Sequence, residues 1–154
     1  MGADLRPGFR LPLLLAAGFR SITDELHKEL AAQGHPEARP VHGFALQAIG
    51  PNGASISELG RRLGVSKQAA GKTAAALERL GYARRTAGAD ARVARLERTD
   101  RGDELLLLSA AIFDGIRARW EAIAGATQLD VLEDSLERLT RDQSRRLDLT
   151  GWLS

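Results

Sequence analysis

Apolar residues in the first thirty positions recur at the spacing of one helix face, at Leu11, Leu15, Phe19, Ile22, Leu26 and Leu30. This spacing predicts a long amphipathic helix, closed by the successive breakers Gly34, Pro36 and Pro40. A second helix is expected to turn Val41, Phe44, Ala45, Ala48 and Ile49 inward, before Gly50-Pro51-Asn52-Gly53 reverses the chain. Ser55, with Glu58 three residues on, forms the capping box of a short third helix whose core face is Ile56, Leu59 and Leu63. Gly64 supplies a left-handed C-terminal turn, and Ser66 a second N-cap two residues later. The helix from Ser66 to about Leu80 is expected to bury Val65, Ala69, Thr73, Ala76, Leu77 and Leu80. Its opposite face carries Lys67, Gln68, Gly71, Lys72 and Ala75.

Past Gly81 the runs YARRT and RVARLERT, joined by AGADA, predict two short strands in a hairpin. Thr99 then caps a long helix whose first turns hold Asp100, Asp103 and Glu104 at the positive end of the dipole. Its buried stripe is read as Leu105, Leu108, Ile112, Ile116, Trp120 and Ile123, with Gly125 at the end. A last helix from about Thr127 is expected to bury Leu129, Leu132, Leu136 and Leu139. The fold class that follows is mainly α with a small β-hairpin.

A chain of 154 residues, 44% apolar and 27% charged, is the size and composition of one globular domain. It has no cysteine, which excludes disulfides and thiolate metal sites and makes an intracellular, cytoplasmic protein the simplest expectation. The apolar run near the N-terminus is soon followed by charged residues, so no membrane partner is expected. The net charge of +2 conceals an uneven distribution: from Arg61 to Arg101 there are eleven basic and four acidic side chains, a local +7 that points to a polyanionic partner.

The sequence AAGKT at residues 69–73 resembles the end of a phosphate-binding loop, but that loop needs a preceding strand and a glycine where this chain has Ser66. Lys72 and Thr73 fall instead inside a helix. Helix, glycine turn, helix and basic hairpin is the winged helix-turn-helix order. A helix presenting Ser66, Lys67, Gln68, Gly71 and Lys72 offers donors and acceptors to base edges and phosphates of a major groove. Small residues at Gly71 and Ala75 allow close approach of the backbone. The hairpin adds Arg84, Arg85 and Arg92, guanidinium groups suited to phosphate or to a narrow minor groove.

The segment from Ser55 to Gly102, with its LGVS turn, a helix ending L-x-x-x-G, and Asp90-Ala91-Arg92 in the hairpin, resembles the MarR family (multiple antibiotic resistance regulator) of bacterial transcriptional regulators. The resemblance extends over nearly the whole chain. It implies one domain over 1–154, with a DNA-binding lobe at 41–101 and dimerisation helices at 9–33 and 102–154. It implies that Asp90 orients nearby arginines and that Arg92 probes the minor groove. It also implies a homodimer with interlocked terminal helices, to which the apolar stripes of Leu11 to Leu30 and Leu129 to Leu139, and the tail with Trp152 and Leu153, would contribute. The chain departs from the family pattern at Arg98, where an apolar residue is usual, and in the small Gly71, Ala74 and Ala75 of the second helix. Arg98 implies a looser last wing strand or an added phosphate contact.

Many such regulators bind a small aromatic molecule between their dimerisation helices and DNA-binding lobe; candidate lining residues here are Phe19, His42, Phe44, Phe113 and Trp120. The spacing of His27, His35 and His42 matches no metal-ligand pattern, so neither metal nor cofactor is expected. No paired-carboxylate or nucleophile-base signature points to an enzyme. The expected function is that of a dimeric repressor acting on an inverted repeat in double-stranded DNA and released by a small aromatic ligand. The competing reading is a winged-helix module that docks protein without binding DNA. A module of that kind would present an apolar strip where this chain has Lys67, Gln68 and Lys72.

Overall fold

A computed structural model describes residues 6–88 and 93–147, with side chains as far as Arg141. Among the described residues the element order is α1 (Arg10–Ala32), α2 (Pro40–Ile49), β1 (Ala54–Ser55), α3 (Ile56–Leu63), α4 (Lys67–Arg79), β2 (Ala83–Ala87), β3 (Ala94–Arg98), α5 (Asp100–Ala124) and α6 (Ala126–Leu147). The strands form one antiparallel sheet in the order β1-β3-β2, with Leu96 opposite both Ala54 and Arg85. The fold is that of a winged helix-turn-helix framed by long helices.

Local chemistry sets the helix ends. Ser55 Oγ accepts from Glu58 N at 3.2 Å, and the Glu58 carboxylate accepts from Ser55 N at 2.7 Å, so both halves of the α3 capping box are made. Those hydrogen bonds to Ser55, with Arg95 and Arg62 nearby, hold the Glu58 carboxyl below its ordinary value. Gly64 ends α3 at φ 67° and ψ 29°, the left-handed region that lets Val65 N donate to Gly60 O at 2.9 Å. Ser66 Oγ accepts from Ala69 N at 3.1 Å and starts α4 at once. Thr99 has a double role: its Oγ1 accepts from Gly102 N and donates to Gly81 O, while its N–H donates to Tyr82 O at 3.1 Å. The start of α5 is thereby fastened to the junction of α4 and β2.

The core gathers Leu46 and Ile49 of α2, Leu59 of α3, Leu77 of α4, Leu96 of β3 and Leu105 of α5, with Leu26 and Leu30 of α1 added at one side. Several sequence expectations need correction. The fully buried face of α4 is Ala70, Ala74 and Leu77, one position on from the expected Ala69, Thr73 and Ala76, which are half-buried. The reason is close helix approach: a Cβ at Gly60 would stand 3.5 Å from Ala70 Cβ and 3.1 Å from Val65 O, so only small side chains fit between α3 and α4. Val65 and Val41 are exposed, and Leu46 and His42 take the inward side of α2. Strand β1 was not expected; its turn needs Gly53, at φ 73°, where a Cβ would lie 2.6 Å from Leu96 O. Within this single chain Ile123, Leu132 and Leu139 are exposed, against the buried positions read for them, and Leu11, Leu15 and Phe19 of the α1 stripe are exposed as well. The α1 stripe is covered only at its C-terminal end, and among the described side chains of α6 only Leu129 is buried, with Leu136 half-buried.

Candidate nucleic-acid interface

The recognition surface follows from the packing of α4. With Ala70, Ala74 and Leu77 turned into the core, Lys67, Gln68, Lys72 and Ala75 stand exposed along the opposite side, and Gly71 lies half-buried between them. Ser66 is exposed at the helix start with its oxygen engaged in the cap. The structure therefore brings together the five helix residues read from the sequence, although Ser66 and Gly71 contribute shape and backbone access more than free side-chain chemistry.

The hairpin arginines are less free than the sequence implied. Arg84 Nη2 lies 3.3 Å from Glu97 Oε2, its cross-strand partner. Arg85 Nε lies 3.0 Å from both carboxylate oxygens of Glu78 and so ties β2 to the last turns of α4. Arg95 bridges to Glu58 at 3.4 Å and donates to Gly53 O at 2.9 Å. Arg98 turns back to Asp103 at 2.8 Å with its side chain largely buried, which makes it a strut to α5 rather than a phosphate contact. Gly88 N donates to Val93 O at 3.1 Å. Asp90 and Arg92 lie outside the described residues.

Behind this surface sits a buried aromatic joint. Tyr82, 1% exposed, hydrogen-bonds through its hydroxyl to His35 Nδ1 at 3.0 Å, and the Arg101 guanidinium lies 5.3 Å from its ring centroid. Arg101 also donates to Leu80 O and Gly34 O. His35 Nε2 faces Glu104 at 3.5 Å. Burial, reinforced by Arg101, holds His35 below the ordinary histidine value; burial and Arg39 do the same to His27 and His42. Burial pushes the Tyr82 phenol up.

Phe19, Phe44 and Phe113 meet around a hollow of about 50 Å³ between α1, α2 and α5. Phe113 and Trp120 line a neighbouring cleft of about 200 Å³ between α1, α5 and α6. His42 borders neither. It is buried, with its ring centroid 6.4 Å from that of Tyr82 and its Nδ1 accepting from Arg39 N at 3.1 Å, so its place is in the helix cap and the joint. Among the described residues no three His, Asp or Glu side chains stand together as metal ligands, and no helix is long and apolar enough to cross a membrane.

A capped short helix, a left-handed glycine turn, a second helix with a polar outer strip and a basic hairpin beside it define a winged helix-turn-helix protein. The sequence model of the MarR family matches residues 40–93, which span α2 to the hairpin, so this segment is similar to that family. Among similar solved structures is the YusO protein from Bacillus subtilis, 25% identical with a TM-score of 0.63, covering 88% of this chain and 99% of that one. A crystal structure of MarR is 24% identical with a TM-score of 0.69, over 88% of this chain and 98% of that one. Streptococcus pneumoniae FabT, solved in complex with DNA, is 18% identical with a TM-score of 0.71, over 90% and 98% respectively. No curated protein matches the chain.

Proposed function

We infer that the protein is a transcriptional regulator that binds double-stranded DNA as a two-fold homodimer and represses at an inverted-repeat operator. The observation that carries this reading is the outer strip of α4, where Lys67, Gln68 and Lys72 stand exposed on a helix otherwise seated on the core. A helix so presented enters a major groove, with Gln68 reading base edges, the lysines meeting phosphate, and Ser66 and Gly71 letting the backbone come close. The wing, with Asp90 and Arg92, lies over the adjacent minor groove. The DNA complex of the similar FabT supports the same partner.

Dimerisation is supported by what one chain leaves uncovered. Phe9, Leu11, Leu14, Leu15 and Phe19 of the N-terminal segment and Leu132 and Leu139 of α6 are all exposed, an apolar surface that a monomer in water rarely keeps. Release by a small aromatic molecule is supported by the cleft beside Phe113 and Trp120: at about 200 Å³ it exceeds the roughly 150 Å³ in which a buried cavity holds a single benzene ring.

Salt titration of affinity for duplex DNA tests the reading. Binding is expected to weaken steeply with ionic strength, at about 0.9 log unit per neutralised phosphate per log unit of salt. A flat response, or no affinity for any duplex, favours the protein-docking alternative.

A further inference from the structure

Half of the described cations of the basic segment are paired with carboxylates inside the protein. Arg79, Arg84, Arg85, Arg95 and Arg98 each face a carboxylate, from Glu37, Glu97, Glu78, Glu58 and Asp103 in turn. Arg62 and Arg101 are spent on backbone carbonyls: Arg62 Nη1 donates to Ala48 O at 2.6 Å and so caps α2, while Arg101 reaches Gly34 O at 2.9 Å. Among the described residues of this segment, the cations with neither carboxylate nor carbonyl are Arg61, Lys67 and Lys72, all exposed. Arg61 lies in the last turn of α3, Lys67 opens α4 across the three-residue turn, and Lys72 lies five residues further along the outer strip.

On the DNA-binding reading, we propose that Arg61 anchors a phosphate together with Lys67 and Lys72, and that Arg85 is a brace holding the wing to the recognition helix rather than a contact to DNA. The physical ground is counterion release. An unpaired cation brought against a phosphate expels a condensed counterion, whereas an arginine already matched by a carboxylate expels none unless that pair first breaks. Among the exposed arginines of this segment the Arg85 pair is the tightest, at 3.0 Å with Glu78 half-buried against 3.3 Å for Arg84 and 3.5 Å for Arg79, and its opening would leave Glu78 facing the phosphates unpaired. The placement of Arg61 agrees with the first helix of such motifs crossing the DNA backbone.

The test is the slope of log affinity against log salt for one duplex, measured by fluorescence anisotropy on wild type, Arg61→Ala, Arg85→Ala and Arg85→Gln, each checked for a native melting transition. Wild type must first bind with a steep slope; its failure to do so sinks the DNA reading itself. Arg61→Ala is expected to lower the slope by about 0.9 per protomer, or about 1.8 in a dimer. The Arg85 variants are expected to lose affinity through a displaced wing while keeping the wild-type slope. An unchanged slope in Arg61→Ala overturns the anchor, and a fall of that size in either Arg85 variant overturns the brace, even though the protein binds DNA.

Discussion

Gly102→Ala probes the joint between α5 and the wing. Gly102 is buried in the first turn of α5 with its Cα against the Tyr82 carbonyl. An added methyl would overlap Tyr82 O outright and lie 3.3 Å from Leu46 Cδ2. The same Tyr82 oxygen accepts the Thr99 N–H at 3.1 Å, so the carbonyl cannot retreat without loosening that bond. Overpacking in a fitted core costs about 1 to 3 kcal/mol, and weakening a backbone hydrogen bond adds about 1 kcal/mol. Alanine returns at most about 1 kcal/mol through its helix preference over glycine. The net is a destabilisation of about 2 kcal/mol, which for a chain of this length lowers Tm by about 4 to 8 °C. Thermal unfolding followed by circular dichroism measures it directly. A Tm equal to or above that of wild type would mean that helix propensity outweighs the contact and that the Tyr82 carbonyl is not the wall described.

Two further outcomes follow from the same geometry. His27, His35 and His42 all titrate below 6.5 in the folded chain, so the unfolded chain binds more protons as pH falls; their contribution to stability is complete above about pH 6.5 and is lost progressively below it. Denaturant midpoints should therefore drop between pH 7.5 and pH 5.5, and a midpoint that holds or rises on acidification contradicts the lowered histidine values. On the α4 strip, Gln68→Ala should change discrimination among DNA sequences by about 1 to 3 kcal/mol, while Lys72→Ala should weaken all duplexes evenly. Identical sequence preferences for Gln68→Ala and wild type would remove Gln68 from base readout.

Much of the fold was legible because its punctuation is local. Ser55 with Glu58, Gly64, Ser66 and Thr99 each act within three or four residues, and each makes the cap or turn its type predicts. The face of α4 was misread because an alanine-rich helix gives no size contrast between core and surface. Ala70 and Ala74 are buried by the nearness of α3, a tertiary fact. Strand β1, two residues long, is too short to leave a periodic trace. Within the site, the exposed strip of Lys67, Gln68 and Lys72 was legible from helical spacing alone. The commitment of the arginines was not, since the partners of Arg95 and Arg79 lie 37 and 42 residues away in sequence. Arg61 was seen only as one charge among eleven, for the same reason: its freedom is defined by the engagement of its neighbours.

On the proposed function, two copies of this chain, joined by their uncovered apolar helices, read DNA as a rigid pair. One recognition helix covers only a few base pairs, whereas two related by a dyad and seated in successive major grooves double the readout. Selection of bound sites from random duplex DNA, followed by affinity measurements on the selected site with and without five base pairs inserted at its centre, tests this directly. The expected result is an inverted repeat with half-sites about 10 base pairs apart, A·T-rich flanks under the wings, and near-complete loss of affinity on the insertion. Enrichment of a single asymmetric half-site, or an affinity indifferent to the insertion, would contradict it.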